Sequence, residues 1–264
     1  MSRAVRALAL ATLVMPLASG AELLPRAAHP GENGLRITFE ILPADSGTAL
    51  PEELRTVEGG RLTVEDAWAR GERYRRTTFV FPFPEGETRE RVFYFAEDDE
   101  SLRLIGFHKI RRRGGMPEGE TIVFNPGPEL PLQGRGVTVP PDTYTWLALF
   151  TALGGVVTTA EPITAHLWRE EGGAVAVRIR PDGAEDLELF GTRVPSRRIA
   201  VEIGKSPAGG TYWLSAAPPH HFLQYRGPAD LVAAASDSPP VLMRATSSSE
   251  QVRQVFEDLE PEPD

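Results

Sequence analysis

The adjacent pair His220-His221 is the first place in this sequence where side chains could hold a metal ion. Imidazole nitrogens ligate zinc and similar ions, but a site needs several ligands converging on one point. In a strand over His221 to Arg226, neighbouring side chains leave opposite faces. His221 would share a face with Leu223 and Tyr225, and His220 with Phe222. The chain contains no cysteine and no His-x-His or His-Glu-x-x-His spacing, and His29, His108 and His166 stand alone. No metal and no cofactor is expected. Gly204-Lys205-Ser206 has the ending of a phosphate-binding loop, yet that loop needs a glycine five positions earlier, where Ile199 stands. No Gly-x-Ser-x-Gly elbow occurs. Paired carboxylates can cleave glycosides, but Asp98, Asp99 and Glu100 form a run beside a turn and read as a solvated cluster. No catalytic residue is assigned.

Two features point to binding instead. Arg111-Arg112-Arg113 followed by Gly114-Gly115 places three guanidiniums near a hairpin tip, where they could meet lipid headgroups or an acidic partner, although three charges are a weak anchor and a solvated loop is the favoured reading. The four tryptophans, Trp68, Trp146, Trp168 and Trp213, together with 12 phenylalanines, could fill a core or line an apolar cavity. Trp146, Trp168, Trp213, Phe222 and Tyr225 are the candidate wall of such a ligand site.

The compartment follows from the first residues. Arg3 and Arg6 precede an apolar run from Ala7 to Leu17, and Ala18, Ser19, Gly20 and Ala21 close it. That is the layout of a secretory signal, with cleavage after Gly20 or, as preferred here, after Ala21. The apolar run is too short to span a bilayer, and no later stretch reaches about 18 apolar residues. Release into the periplasm by the general export route is expected, with no membrane span after cleavage. The whole chain carries a net charge of -9, and losing two arginines makes the remainder more acidic. Nucleic acid is excluded as a partner by that balance, since phosphate binding needs a basic face. Without cysteine no disulfide supports the fold, so burial must hold it together.

The elements that would position these residues are strands. Leu35, Ile37, Phe39 and Ile41 alternate with Arg36, Thr38 and Glu40, which puts one face on a core and one in water. The pattern recurs over Arg73 to Phe81, Arg91 to Ala96 and Leu102 to Arg111. Glu58-Gly59-Gly60 and Pro84-Glu85-Gly86 are the expected turns. The apolar parity shifts between Leu104 and Ile105, which predicts a bulge near Gly106. Five prolines between Asn125 and Pro141 mark a connector. Asp142 is then expected to cap a helix of about twelve residues that is stopped by Gly154-Gly155. Further strands are predicted at Ile163 to Glu170, Ala174 to Arg180, Asp186 to Phe190, Arg197 to Ile203, Thr211 to Ser215 and His221 to Arg226. Pro181-Asp182-Gly183 and Ser206 to Gly210 serve as turns. Ser247-x-x-Glu250 reads as the capping box of a last helix reaching Leu259, before a disordered acidic tail from Glu260 to Asp264.

The Asp142 helix start with Trp146-Leu147, the strand Leu187 to Phe190 ending at Gly191, the basic strand Ser196 to Val201, and Tyr212-Trp213-Leu214-Ser215 before Phe222-Leu223-Gln224-Tyr225 follow a familiar order. Over residues 136–226 the chain resembles a family of bacterial periplasmic proteins, the domain of unknown function three-one-zero-eight. That resemblance implies an antiparallel sheet curled into a spiral roll or open barrel in the cell envelope, and it brings no catalytic residues.

The expected architecture is therefore all-β with one or two short helices, a curled antiparallel sheet forming an open barrel or spiral β-roll. It is one domain over residues 22–259, in two halves of about 34–124 and 142–235 joined by the proline-rich connector. The expected function is non-enzymatic: a periplasmic envelope protein that binds a lipid or other apolar molecule, or an envelope protein, on the curved sheet. A hydrolase acting on envelope material and a scaffold without ligand are the alternatives. Expressed in a bacterial host and recovered from the periplasm, the protein is expected to have an intact mass that begins at Glu22.

Overall fold

A computed structural model describes residues 23–26, 34–57, 59–97, 101–114, 116–128, 130, 132–169, 173–204, 206–228 and 240–248. The signal segment, His29, Asp98 to Glu100 and the acidic tail lie outside the described residues.

Alternation does what the sequence implies. In the strand Leu35–Pro43, Leu35, Ile37, Phe39 and Ile41 are buried while Arg36 and Thr38 are exposed. In chain order the strands are β1 (Leu24–Pro25), β2 (Leu35–Pro43), β3 (Gly59–Ala69), β4 (Glu72–Pro82), β5 (Thr88–Glu97), β6 (Ser101–Arg113), β7 (Met116–Phe124), β8 (Arg135–Val137) and β9 (Thr143–Tyr144). The helix α1 (Trp146–Ala152) follows and runs into a 3-10 turn over Leu153–Thr158. After it come β10 (Ile163–Arg169), β11 (Gly173–Leu189), β12 (Thr192–Ile203), β13 (Ser206–Ser215), β14 (Phe222–Gly227) and β15 (Val241–Ser248).

All fifteen strands belong to one sheet. Its order is β8-β7-β6-β5-β4-β3-β2-β15-β14-β13-β12-β11-β10-β9, with β1 paired to β6 off that path. Two meanders meet at the β2–β15 pair, one running from β2 outward to β7 and the other returning inward from β10 to β15. The proline-rich connector carries the chain from one outer edge to the other. Its two short strands, β8 and β9, each pair in parallel with an edge, on β7 and β10 respectively. The sheet is mostly antiparallel, curled and not closed.

Ring contacts establish the curl. Trp168 on β10 meets Phe107 on β6 at 5.5 Å and Phe124 on β7 at 5.9 Å, although many strands separate them along the sheet. Tyr144 on β9 donates its hydroxyl to the Leu102 carbonyl of β6 at 2.6 Å and accepts from the Leu24 amide at 3.0 Å. The helix lies inside the curl, and every one of its seven residues is buried.

Several local expectations need correction. Gly59 and Gly60 open β3 instead of turning, because Phe39 of β2 lies against them and a Cβ at Gly60 would come within 2.7 Å of its ring. Pro181-Asp182-Gly183 is a bulge within β11. The register steps from Pro181 to Ala184 there, and Arg198 of β12 forms an ion pair with Asp182 at 2.8 Å. Ser206 to Gly210 is paired strand in β13, and the hairpin turns one step earlier, between Ile203 and Ser206. Thr145, not Asp142, caps α1, its side chain accepting from the Ala148 amide at 3.2 Å. Gly154-Gly155 continues as a 3-10 turn. Ser247 and Ser248 pair with β2 as strand, and the helix expected to follow them up to Leu259 lies outside the described residues. The bulge near Gly106 is present, where the β5–β6 register shifts between Tyr94 and Phe95. Strands β3 and β7 had no clear signal of their own: acidic residues interrupt the first, and Pro117 and Gly119 the second.

Gly155 is needed where it stands, since a Cβ there would run into the Pro25 carbonyl of β1. Gly127 faces open space. Gly155→Val is expected to destabilise by about 1–3 kcal/mol through overpacking. Gly127→Ala should stay within about 0.5 kcal/mol of wild type, both read from urea unfolding midpoints.

Candidate functional site

Four of the five aromatics expected to line a ligand site lie in the main core, where the protein's own helix fills the space in front of them. Phe150 of α1 meets Phe222 at 4.4 Å, Tyr212 at 5.2 Å, Tyr225 at 5.3 Å and Phe79 at 5.4 Å. The Tyr212 hydroxyl donates to the Trp146 carbonyl at 3.1 Å, and Thr77 and Thr151 share a hydrogen bond of 2.9 Å. Trp146, Phe222 and Tyr225 are thus brought together around α1. Trp168 belongs to the same core but lies further out, over Phe107 and Phe124. Trp213 is separate. It lies in a second cluster with Leu189, Val194 and Leu223, and its indole donates to Glu185. Strand parity explains the split, because Tyr212 and Leu214 take the core-facing positions on either side of it.

The two ends of the curl are polar and different. At the end formed by the β4–β5 and β6–β7 turns, the arginine run is spread along β6 instead of clustered at a tip. Arg111 pairs with Glu87 at 2.6 Å, Arg112 with Glu90 at 2.6 Å and Arg113 with Glu85 at 3.4 Å. Arg111 and Arg89 hold the Glu87 carboxyl below its usual range. These guanidiniums are engaged by carboxylates of β5 and of the turn before it. Lys109 sits two residues further in, its Nζ 5.8 Å from the ring centres of both Phe107 and Trp168.

At the opposite end, Glu97 is nearly inaccessible and gathers three arginines, Arg75 at 2.5 Å, Arg73 at 2.7 Å and Arg26 at 3.4 Å. Beside this network, Trp68 stands 70% exposed. It follows Leu62, Val64 and Asp66 on the core-facing positions of β3, yet it lies past the last layer of the core, next to the Arg70-Gly71 turn. Sequence reasoning grouped it with the buried tryptophans. The signal that separates it is its place two residues before a hairpin turn.

The histidines are dispersed. His220 and His221 lie in the loop before β14, not in the strand, and both are buried. Ser215 ties the loop down, accepting from the His221 amide at 2.8 Å on its hydroxyl and from His220 Nδ1 at 3.0 Å on its carbonyl. His221 Nδ1 is buried without a hydrogen-bond partner among the described residues. His166 Nδ1 meets both oxygens of the buried Asp142 carboxylate, at 2.9 and 3.0 Å, and its amide donates to the Asp142 carbonyl. Asp142 therefore fastens β9 to β10. Among the described residues, no three His, Asp or Glu side chains gather as a metal-holding group. No helix among them is long and apolar enough to cross a membrane.

No family model matches the chain, and no curated protein matches it. Two crystal structures are similar. One is a β-barrel-like protein of the domain of unknown function DUF1849 from Brucella abortus, 12% identical over 86% of this chain and 98% of that one, with a TM-score of 0.37. The other is a candidate lipoprotein from Parabacteroides distasonis, 8% identical over 83% of this chain and 96% of that one, with a TM-score of 0.32.

Burial, and after it the neighbouring His220, lowers the His221 imidazole from 6.5 to about 4. As pH falls through that interval the unfolded chain takes up a proton that the folded chain refuses, so stability declines by at most about 1.4 kcal/mol per unit. His108, lowered by burial, adds a slope of the same sign. Replacing His221 by Asn is expected to flatten the fall of the urea midpoint measured between about pH 7 and 5.

Proposed function

We propose that this chain is a non-enzymatic protein of the cell envelope, exported to the periplasm, that holds a protein partner at one end of its curved sheet. The observation that carries this reading is Trp68, 70% exposed on a core-facing strand position at the mouth of the curl. A large aromatic left in water is a cost that contact with a partner removes, and tryptophan is prominent among residues that dominate binding energy. Arg73 and Glu97 lie in the same end of the sheet, which gives the apolar contact a charged surround. The alternative of an apolar molecule enclosed within the curl has less support, because α1 already occupies that space. Export is supported by Arg3, Arg6 and the apolar run that follows them. Membership of the family of unknown function three-one-zero-eight belongs to the same proposal and is supported by the order of parts over residues 136–226.

The test compares tagged wild-type protein with Trp68→Ala, each recovered from the periplasm of the native host. Wild type is expected to co-elute with one partner, and the variant to bind it about 30-fold more weakly, as for loss of a contact worth about 2 kcal/mol. Its urea midpoint should be unchanged, since Trp68 packs little. A partner held equally by both proteins would refute the role given to Trp68.

A further inference from the structure

Strand β1 stands outside the path of the two meanders. β7 pairs with β6 from Gly106 to Arg113, and β1 takes a stretch of β6 beyond that pairing, with Leu24 opposite Leu102 and Pro25 opposite Ser101. The Leu24 side chain is completely buried in the main core. Its amide donates to the Tyr144 hydroxyl of β9 at 3.0 Å, and that hydroxyl donates onward to the Leu102 carbonyl at 2.6 Å. β1 therefore ties β6 to β9, two strands that belong to opposite halves of the sheet. The Pro25 carbonyl fills the place that a side chain would take at Gly155, and Arg26 reaches Glu97 at 3.4 Å.

This clip lies directly behind the expected signal. Leu24 is the third residue after the Ala21–Glu22 bond. A peptidase holds its substrate extended in its own cleft on both sides of the bond, so a bond beside a docked strand is cut only from a locally opened form. With Leu24 enclosed and its amide bonded to Tyr144, the residues that follow the cut are already committed to the fold. The membrane adds a second constraint. The apolar run ends at Leu17, and the chain from there to Leu24 spans at most about 25 Å. While the signal lies in the bilayer, docking of β1 would hold the folded sheet against the membrane surface.

We propose that docked β1 protects the Ala21–Glu22 bond, so that removal of the signal has to precede the docking of the strand that closes the curl. Cleavage is hydrolysis: water adds across the amide, the new carboxylate leaves on Ala21 and the new ammonium stays on Glu22. The inference rests on the export reading given above. It also places a step before partner binding, because Arg26 joins the Glu97 network beside Trp68 when β1 docks.

The test presents the full-length precursor, residues 1–264, to bacterial signal peptidase in lipid vesicles, with intact mass as the readout. One sample is diluted from urea directly into the enzyme, and the other is allowed to fold first. The unfolded chain is expected to lose its signal, and the prefolded chain to be cut at least about tenfold more slowly. A second precursor carries six inserted glycine and serine residues between Glu22 and Leu23, which move the bond up to about 20 Å from β1 and leave the folded part unaltered. Prefolded, it is expected to be cut as fast as the unfolded wild type. Equal rates for the prefolded and unfolded wild-type chains would overturn the proposal and leave export intact. So would an insert precursor that stays as slow as the prefolded wild type. A peptidase that cuts none of these chains near Ala21 would overturn the export reading and this inference with it.

Discussion

A single sheet with one apolar face has to cover that face, and here it does so by bending around its own helix. Phe150 is the centre of this arrangement, touching rings from β4, β13 and β14 at once. Each fully buried aromatic side chain contributes roughly 1.5–3 kcal/mol of burial, and ring pairs add about 0.5–1.5 kcal/mol. The helix is short, and isolated it would not form, so its stability comes from the sheet that encloses it. In return it spares the sheet from closing on an empty interior. That mutual dependence explains why the chain needs no disulfide.

The same bend decides where polar groups can go. The core ends before the strands do, and inward-facing positions beyond it carry charge. At one end three arginines converge on the buried Glu97, an arrangement in which loss of the carboxylate would remove the negative charge they share. At the other end Glu87 bridges Arg89 and Arg111. Charged ends of this kind keep the strand termini solvated. The edges are blunted in a related way, β7 by Pro117 and its glutamates, and both edges by very short parallel strands.

Much of the fold was legible because strand period is local. Leu35 to Ile41, Arg73 to Phe81 and the parity change near Gly106 can be read from side-chain alternation alone, and each is present. The misreadings share a cause. Gly59-Gly60, Pro181 to Gly183 and Ser206 to Gly210 carry turn residues, yet small size and positive φ also serve bulges and close approach by a neighbouring side chain. Which use applies depends on what lies opposite, such as Phe39 or Arg198. The candidate wall was legible as aromatic residues but not as a set, since Trp213 faces away from Trp146, Phe222 and Tyr225.

By itself the sequence determined an all-β chain with alternating faces, a buried helix after a proline-rich connector, and no cysteine to staple them. Those properties depend on neighbours within a few residues. Only the tertiary structure decided that the helix fills the curl, that Asp142 serves His166 instead of the helix, that Trp68 stays in water, and that Leu24 docks beside Leu102. Each of these is a contact between segments far apart in the chain, set by strand register and curvature. A residue's type limits the partners it can accept, and the register decides which of them it meets.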